Sequence, residues 1–301
     1  MKSRLILNLI LVSVVTILVV FTIYEPGQKK NDKTALINNF DPQKINTLVL
    51  ERGGSEVLIL KKKQSTWHIS KPFDLPANDF QVNALLSIAN NHSYSQFDAQ
   101  QHDLDKFGLL TPRIGLRFDN QQLYFGGTDP LSFRRYVLVD NTIHLINDGS
   151  YLYLSQDVTK FVSYKLLPDK KIISKIQLPG FQLEKNSING RWQIQPKIND
   201  LSADDINIFI ERWQHVQALV VKPWLINSVV AGEPLTGEPK ENSSNVINIK
   251  FTDNSELALV IIDDKTDLIV GKSDSKIQYE IAEINKNKLL QLGNPVWVKY
   301  N

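Results

Sequence analysis

INTLVLERGGSEVLILKKKQSTWHISKP, residues 45–72, alternates apolar and polar side chains, reverses at Gly53-Gly54 and ends on an aromatic run, Trp67-His68-Ile69, before Pro72. Period-two alternation puts successive side chains on opposite faces of a strand, and a glycine pair supplies the backbone for a tight reversal, so this stretch predicts a three-stranded antiparallel meander. The pattern then returns. IISKIQLPGFQLEKNSINGRWQIQP, residues 172–196, turns at Pro179-Gly180 and Asn189-Gly190 and again reaches a tryptophan followed by a proline, with Trp67 and Trp192 125 residues apart.

Outward from each meander the agreement continues. In the second copy Ser202 with Asp205 forms an acidic capping box, and Ile206, Phe209, Ile210, Trp213, Val216 and Val220 recur on one helical face. In the first, Asn78 and Asp79 start a helix that turns Val82, Leu85, Leu86 and Ala89 inward. Further strands follow: RIGLRF (113–118), a turn at Asp119-Asn120 and QLYFG (122–126) in one copy, VINIKF (246–251), a turn at Asp253-Asn254 and ELALVII (256–262) in the other. Phe118 and Phe251 hold matching places before these turns. A last pair closes each copy, FRRYVLV (133–139) with TIHLI (142–146), and DLIVG (267–271) with IQYEIAEI (277–284), before helical ends near Tyr151 to Lys165 and Asn285 to Leu292. A repeat this long exceeds the roughly 20–50 residues of a solenoid unit. It predicts an α+β fold with two similar tandem lobes, residues 41–168 and 169–301, each of antiparallel strands with a packed helix. The copies differ most where the second has a Gly/Pro/Glu/Ser-rich stretch, Asn227 to Asn245, expected as an exposed loop in place of Asp98 to Pro112.

Ahead of the lobes, Leu5 to Tyr24 carries no charge and only four polar residues, Asn8, Ser13, Thr16 and Thr22. Its length matches the ~20 residues that cross a bilayer core. A cleaved signal peptide would need small residues at its end, and Thr22, Ile23 and Tyr24 stand there instead. The expectation is therefore a single-pass transmembrane anchor, residues 1–24, a polar tether, residues 25–40, and a soluble part outside the cytoplasm, since long C-terminal domains translocate largely regardless of flanking charge.

Composition narrows the function. Lys+Arg 34 against Asp+Glu 32 leaves +2, too little for a basic field that holds nucleic acid. With no cysteine there is no disulfide, no thiolate nucleophile, no Cys-ligated zinc and no lipoprotein cysteine.

Three pieces of the first copy resemble a known family. They are Trp67-His68-Ile69 through Pro72 to Pro76-Ala77-Asn78-Asp79 with the Leu85-Leu86 helix, then LDKFGLLTP (104–112), then Phe125-Gly126-Gly127 followed by Tyr136-Val137-Leu138-Val139. Residues 45–165 are similar to the bacterial domain of unknown function 4340 family, the second copy only in outline, and Leu110 and Thr111 stand where the family more often carries an acidic residue and a proline. The resemblance implies a membrane-tethered bacterial envelope protein, in a family associated with gliding-type ABC transport components. It implies no catalytic residue.

Nor do the residues mark one. The histidines His68, His92, His102, His144 and His215 show no metal-ligand spacing, and His92 and His102 beside Asp98, Asp103 and Asp105 make the best metal cluster without fixing its geometry. Asp103 to Gly108 starts like a calcium loop, but Phe107 and Ile114 occupy acidic positions. Asp204-Asp205 and Asp263-Asp264 fit a helix start and a turn. Gly126-Gly127 lacks the helix and lysine of a phosphate loop and is expected at a turn of positive φ. Lys61-Lys62-Lys63 reads as a solvated strand end, with lipid headgroups as a sharper alternative. No cofactor or metal is called for, and the sequence specifies no oligomeric state. The expected function is a non-catalytic, membrane-anchored accessory or scaffold protein of the cytoplasmic membrane, binding an envelope or transporter protein or a ligand; the alternative is an envelope hydrolase with an unmarked site. The expected binding residues are Arg134 and Arg135, a guanidinium pair suited to a carboxylate or phosphate.

Overall fold

The computed structural model describes residues 2–24, 34–36, 40–198, 201–224 and 245–292. The first element, α1 (Lys2–Tyr24), is a helix of 23 residues. Its described side chains, Ile6 and residues 9–20, are exposed. Among the described residues no helix is long and apolar enough to cross a membrane.

The rest is α+β. In chain order it runs β1 (Thr34–Ala35), β2 (Thr47–Arg52), β3 (Ser55–Lys63), β4 (Thr66–Lys71), β5 (Leu75–Pro76), α2 (Asp79–Ile88), β6 (His92–Ser93), β7 (Ser95–Asp98), β8 (Ile114–Phe118), β9 (Gln121–Thr128), β10 (Arg135–Val139), β11 (Thr142–Ile146) and α3 (Tyr151–Ser155). There follow β12 (Ile173–Leu178), β13 (Phe181–Lys185), β14 (Trp192–Gln195), α4 (Ala203–His215), β15 (Val220–Pro223), β16 (Val246–Phe251), β17 (Glu256–Asp263), β18 (Leu268–Lys272), β19 (Ile277–Ile281) and α5 (Glu283–Leu290). One antiparallel sheet has the order β5-β4-β3-β2-β8-β9-β10-β11-β7, and the other β14-β13-β12-β16-β17-β18-β19-β15. Apart from β5 the two orders are the same: meander, helix, far-edge strand, then the four central strands.

The repeat holds at the level of registers. Leu48 opposes Phe118 as Ile173 opposes Phe251, and Lys62 opposes Trp67 as Lys185 opposes Trp192, each ammonium 6.0 Å from its ring. The Asp-Asn turns place Asp119 (φ 48) and Asn254 (φ 64) in the left-handed region, and Pro72 and Pro196 both follow a cis peptide bond.

Each helix starts as its cap dictates. Asn78 accepts hydrogen bonds from the Phe80 and Gln81 amides, and Ser202 and Asp205 close the reciprocal capping box, which satisfies two amides that the helix leaves open. α2 buries Val82, Leu85, Leu86 and Ile88 on the first sheet, and α4 buries Ile206, Phe209 and Trp213 on the second. Val216 caps α4, however, and Val220 lies in β15, so the apolar period of three to four crosses a helix end into a strand. The two tryptophans of the meanders also differ: Trp67 is buried, whereas Trp192 is half-buried.

A strand-like linker joins the halves. Val162 pairs with Ala77 and Lys165 with Gln217, the Leu166 amide donates to Val216 and the Ala218 amide to the Tyr164 carbonyl. The tether repeats this device: Thr34 opposes Ser93, Ala35 opposes His92, the Leu36 amide donates to Asn91, and Leu36 is 3% exposed. Residues 34–36 are therefore stitched to β6, in a two-stranded sheet of their own beside the first, rather than free along the tether. The stretch expected as a loop between Asn227 and Asn245 lies, except for Asn245, outside the described residues.

Candidate functional site

Antiparallel pairing puts opposed residues on one face of a sheet. On the first sheet one face carries Leu48, Leu50, Leu116, Phe118, Leu123 and Val137 into the core. The other is partly covered by residues 99–112, where Phe107 meets Tyr136 edge-on at 4.7 Å and His102 at 5.9 Å. Asp98 and Asp103 spend their carboxylates on the amides of Gln100 and Asp105, capping two short 3-10 turns. Gly108 closes the second turn at φ 65.

This covering explains Gly126-Gly127 differently from the expected turn: both lie inside β9, and neither has positive φ. A Cβ on Gly126 would come 2.3 Å from the Phe107 carbonyl oxygen. Glycine stands there because another backbone passes over it.

Beside residues 109–113 the outer face stays open as a groove of about 800 Å³, lined by Glu51, Gly115, Tyr124 and Leu138 with Leu110 and Arg113 on its rim. Glu51 opposes Gly115, which opposes Tyr124. Gly115 makes the floor, since a Cβ there would sit 2.8 Å from Glu51 Oε2 and 2.9 Å from Gln122 Nε2. At the same register the second sheet has Gln177, Asn248 and Ala258. The core-facing pairs repeat between the sheets, but this outer triple does not. A smaller groove, about 450 Å³, lies at the linker beside Trp67, Phe80 and Lys165.

Arg135 and Arg134 have different partners within the protein. Arg135 Nε and Nη2 both donate to the Asp148 carboxylate, Nη1 donates to the Gly126 carbonyl at 2.6 Å, and the guanidinium lies 3.6 Å from the Tyr151 ring centre. Its side chain is only 12% exposed. The carboxylate that this residue was expected to grip is the protein's own. Arg134, half-buried, instead stacks 3.6 Å from the Tyr94 ring centre.

The histidines are dispersed. His68 reaches Asp74 at 2.8 Å, and burial, then Lys63, lower its pKa against the pull of Asp74. His144 and Ser93 are both buried, with Nδ1 2.9 Å from Oγ, and burial lowers the His144 pKa. With Ser93 3% and His144 6% exposed, this Ser-His contact presents no open surface. His102 Nδ1 lies 2.9 Å from the Asp98 carbonyl. Among the described residues no group of three or more His, Cys, Asp or Glu is placed to hold a metal ion.

The model of a family described as Domain of unknown function (DUF4340) matches residues 67–231, more than half of the chain. The chain belongs to the DUF4340 family. In this DUF4340 chain the match begins at Trp67, past the β2-β3 hairpin, and continues beyond the linker through α4 and β15, so the family pattern includes the joint between the sheets. It covers the rim of the groove and Tyr124 but not Glu51. No curated protein and no solved structure matches the chain.

Pattern reading missed the groove because Glu51, Gly115 and Tyr124 are distant in sequence and meet only through strand pairing. Gly115 inside an otherwise apolar strand was the available signal, since an isolated strand glycine often marks a close approach.

Proposed function

We propose that this DUF4340 chain is a non-catalytic, membrane-anchored envelope accessory protein whose first lobe, residues 41–168, binds a protein partner in the groove floored by Gly115. The observation that carries the reading is the divergence of the outer triple, Glu51-Gly115-Tyr124 against Gln177-Asn248-Ala258, within two otherwise matching sheets. Folding accounts for what repeats. What differs on an open face is available for recognition. Tyr124, 36% exposed, and Leu110, 63% exposed, offer apolar contact, with the Glu51 carboxylate and Arg113 guanidinium to orient a partner. The family resemblance suggests a component of an ABC-type transport system as that partner.

Recovery of partners by full-length protein from detergent-solubilised membranes tests the groove. Tyr124→Ala is expected to lower recovery by roughly fivefold or more, as truncating an interface aromatic costs over 1 kcal/mol. Arg134→Ala, outside the groove, serves as comparison. Recovery unchanged by Tyr124→Ala rejects this site, and a hydrolytic activity abolished by one Ser or Asp substitution rejects the binding reading.

The anchor is part of the proposal and is supported by the charge-free run from Leu5 to Tyr24 within α1. The chain is expected to stay with membranes through carbonate washing, and a C-terminal alkaline phosphatase fusion is expected to be active. An inactive fusion beside a working cytoplasmic reporter sinks the orientation.

A further inference from the structure

The β9-β10 hairpin ends in a tip built to hold two large apolar side chains in the open. Leu131 is 90% exposed and Phe133 76%. The tip is not slack: Asp129 accepts from the Ser132 amide at 2.8 Å, the Ser132 hydroxyl at 2.5 Å and the Tyr136 hydroxyl at 2.9 Å. The Asp129 amide and carbonyl bond Arg134 and Phe133 at 2.7 and 2.9 Å. Phe133 is held at φ 57, where a bulky residue is strained, so its backbone is fixed by the turn.

Position supplies the second argument. Arg134, next to Phe133, stacks on Tyr94, and Tyr94 directly follows Ser93, the residue paired with Thr34 of the tether. The tip and the stitched tether thus share one end of the first lobe. Between Tyr24 at the end of α1 and Thr34 the chain makes ten Cα–Cα steps, which span at most about 35 Å. In the second sheet the matching β17-β18 tip is residues 264–267, Asp-Lys-Thr-Asp. There Lys286 Nζ donates to the carbonyls of Asp264, Lys265 and Thr266. The matching hairpins thus differ: the tip beside residues 34–36 exposes Leu131 and Phe133, and the tip of the second sheet is polar.

The geometry points to the lipid bilayer as the occupant: Leu131 and Phe133 insert at the headgroup boundary of the membrane that holds α1, and the Arg134 guanidinium meets lipid phosphate. Aromatic and leucine side chains flanked by a basic residue are the combination that interfaces select. This rests on the anchor reading of α1 and seats the first lobe directly on the membrane, with the partner groove at a constrained height.

The chain has no cysteine, so single-cysteine variants label cleanly. Full-length Phe133→Cys carrying an environment-sensitive dye, reconstituted in phosphatidylethanolamine–phosphatidylglycerol vesicles, is expected to emit to the blue of the same dye at Thr266→Cys. It is also expected to lose emission when the lipids are brominated near the headgroup. Leu131→Cys repeats the measurement if Phe133→Cys does not fold. Water-like emission at both 131 and 133 from protein retained after carbonate washing overturns the insertion while the anchor stands. A blue shift without quenching means that protein covers the tip, and also overturns it. Release of the chain by carbonate overturns the anchor and the insertion together.

Discussion

Trp213→Ala is expected to cost about 3–5 kcal/mol, the range for truncating a core aromatic, and to lower the urea midpoint of the full-length protein in detergent. Trp213 is fully buried, and its indole N–H donates to the Leu289 carbonyl at 2.9 Å, tying α4 to α5. Truncation leaves a cavity and an unpaired carbonyl at once, and neither is relieved by solvent. Trp67→Ala belongs in the same range by burial. Trp192→Ala falls below it, because a half-buried ring has less contact to lose. A midpoint shift for Trp192→Ala equal to that for Trp213→Ala would show that the second core does not sit where α4 places it.

Arg135→Ala is expected to destabilise the protein by about 2–3 kcal/mol, whereas Arg134→Ala stays within about 0.5 kcal/mol. The difference lies in the partners. Arg135 fills a fork of charge-assisted bonds to Asp148, satisfies the Gly126 carbonyl and covers Tyr151, so its loss leaves a partly buried carboxylate without its cation. The full cost of breaking a buried pair is not expected, since Asp148 is 35% exposed and water reaches it. Lysine does not replace the fork, so Arg135→Lys should recover only part of the loss. Equal denaturation midpoints for the Arg135→Ala and Arg134→Ala proteins would refute this assignment. Alanine at both positions therefore mixes a fold defect with a surface change, and only Arg134→Ala leaves the fold intact.

Local physics made the repeated architecture legible. The Gly53-Gly54 turn, the Asp119-Asn120 and Asp253-Asn254 turns, the Asn78 cap and the Ser202/Asp205 box each act within a few residues, and each stands where the chain places it. Misreadings arose where a local signal had a distant cause. Val220 kept the spacing of a helical face yet pairs with Glu280 in the sheet. Gly126-Gly127 looked like a turn and is a strand crossed by Phe107. Arg134 and Arg135, adjacent in sequence, meet different partners, Tyr94 and Asp148, which the sequence did not show.

By itself the sequence determined two matching sets of strands with a helix in each, the start of those helices, and the family to which residues 67–231 belong. Alternation, caps and turn residues are interactions between near neighbours, so they survive in a string of letters. Only the tertiary structure decided that residues 34–36 are stitched to β6, that Glu51, Gly115 and Tyr124 stand side by side, that Arg135 is already paired, and that Leu131 and Phe133 are left in the open. Each of those depends on which strand lies beside which and in what register. Register is set by the whole core at once, because a slip of one residue would turn every side chain of a strand to the other face.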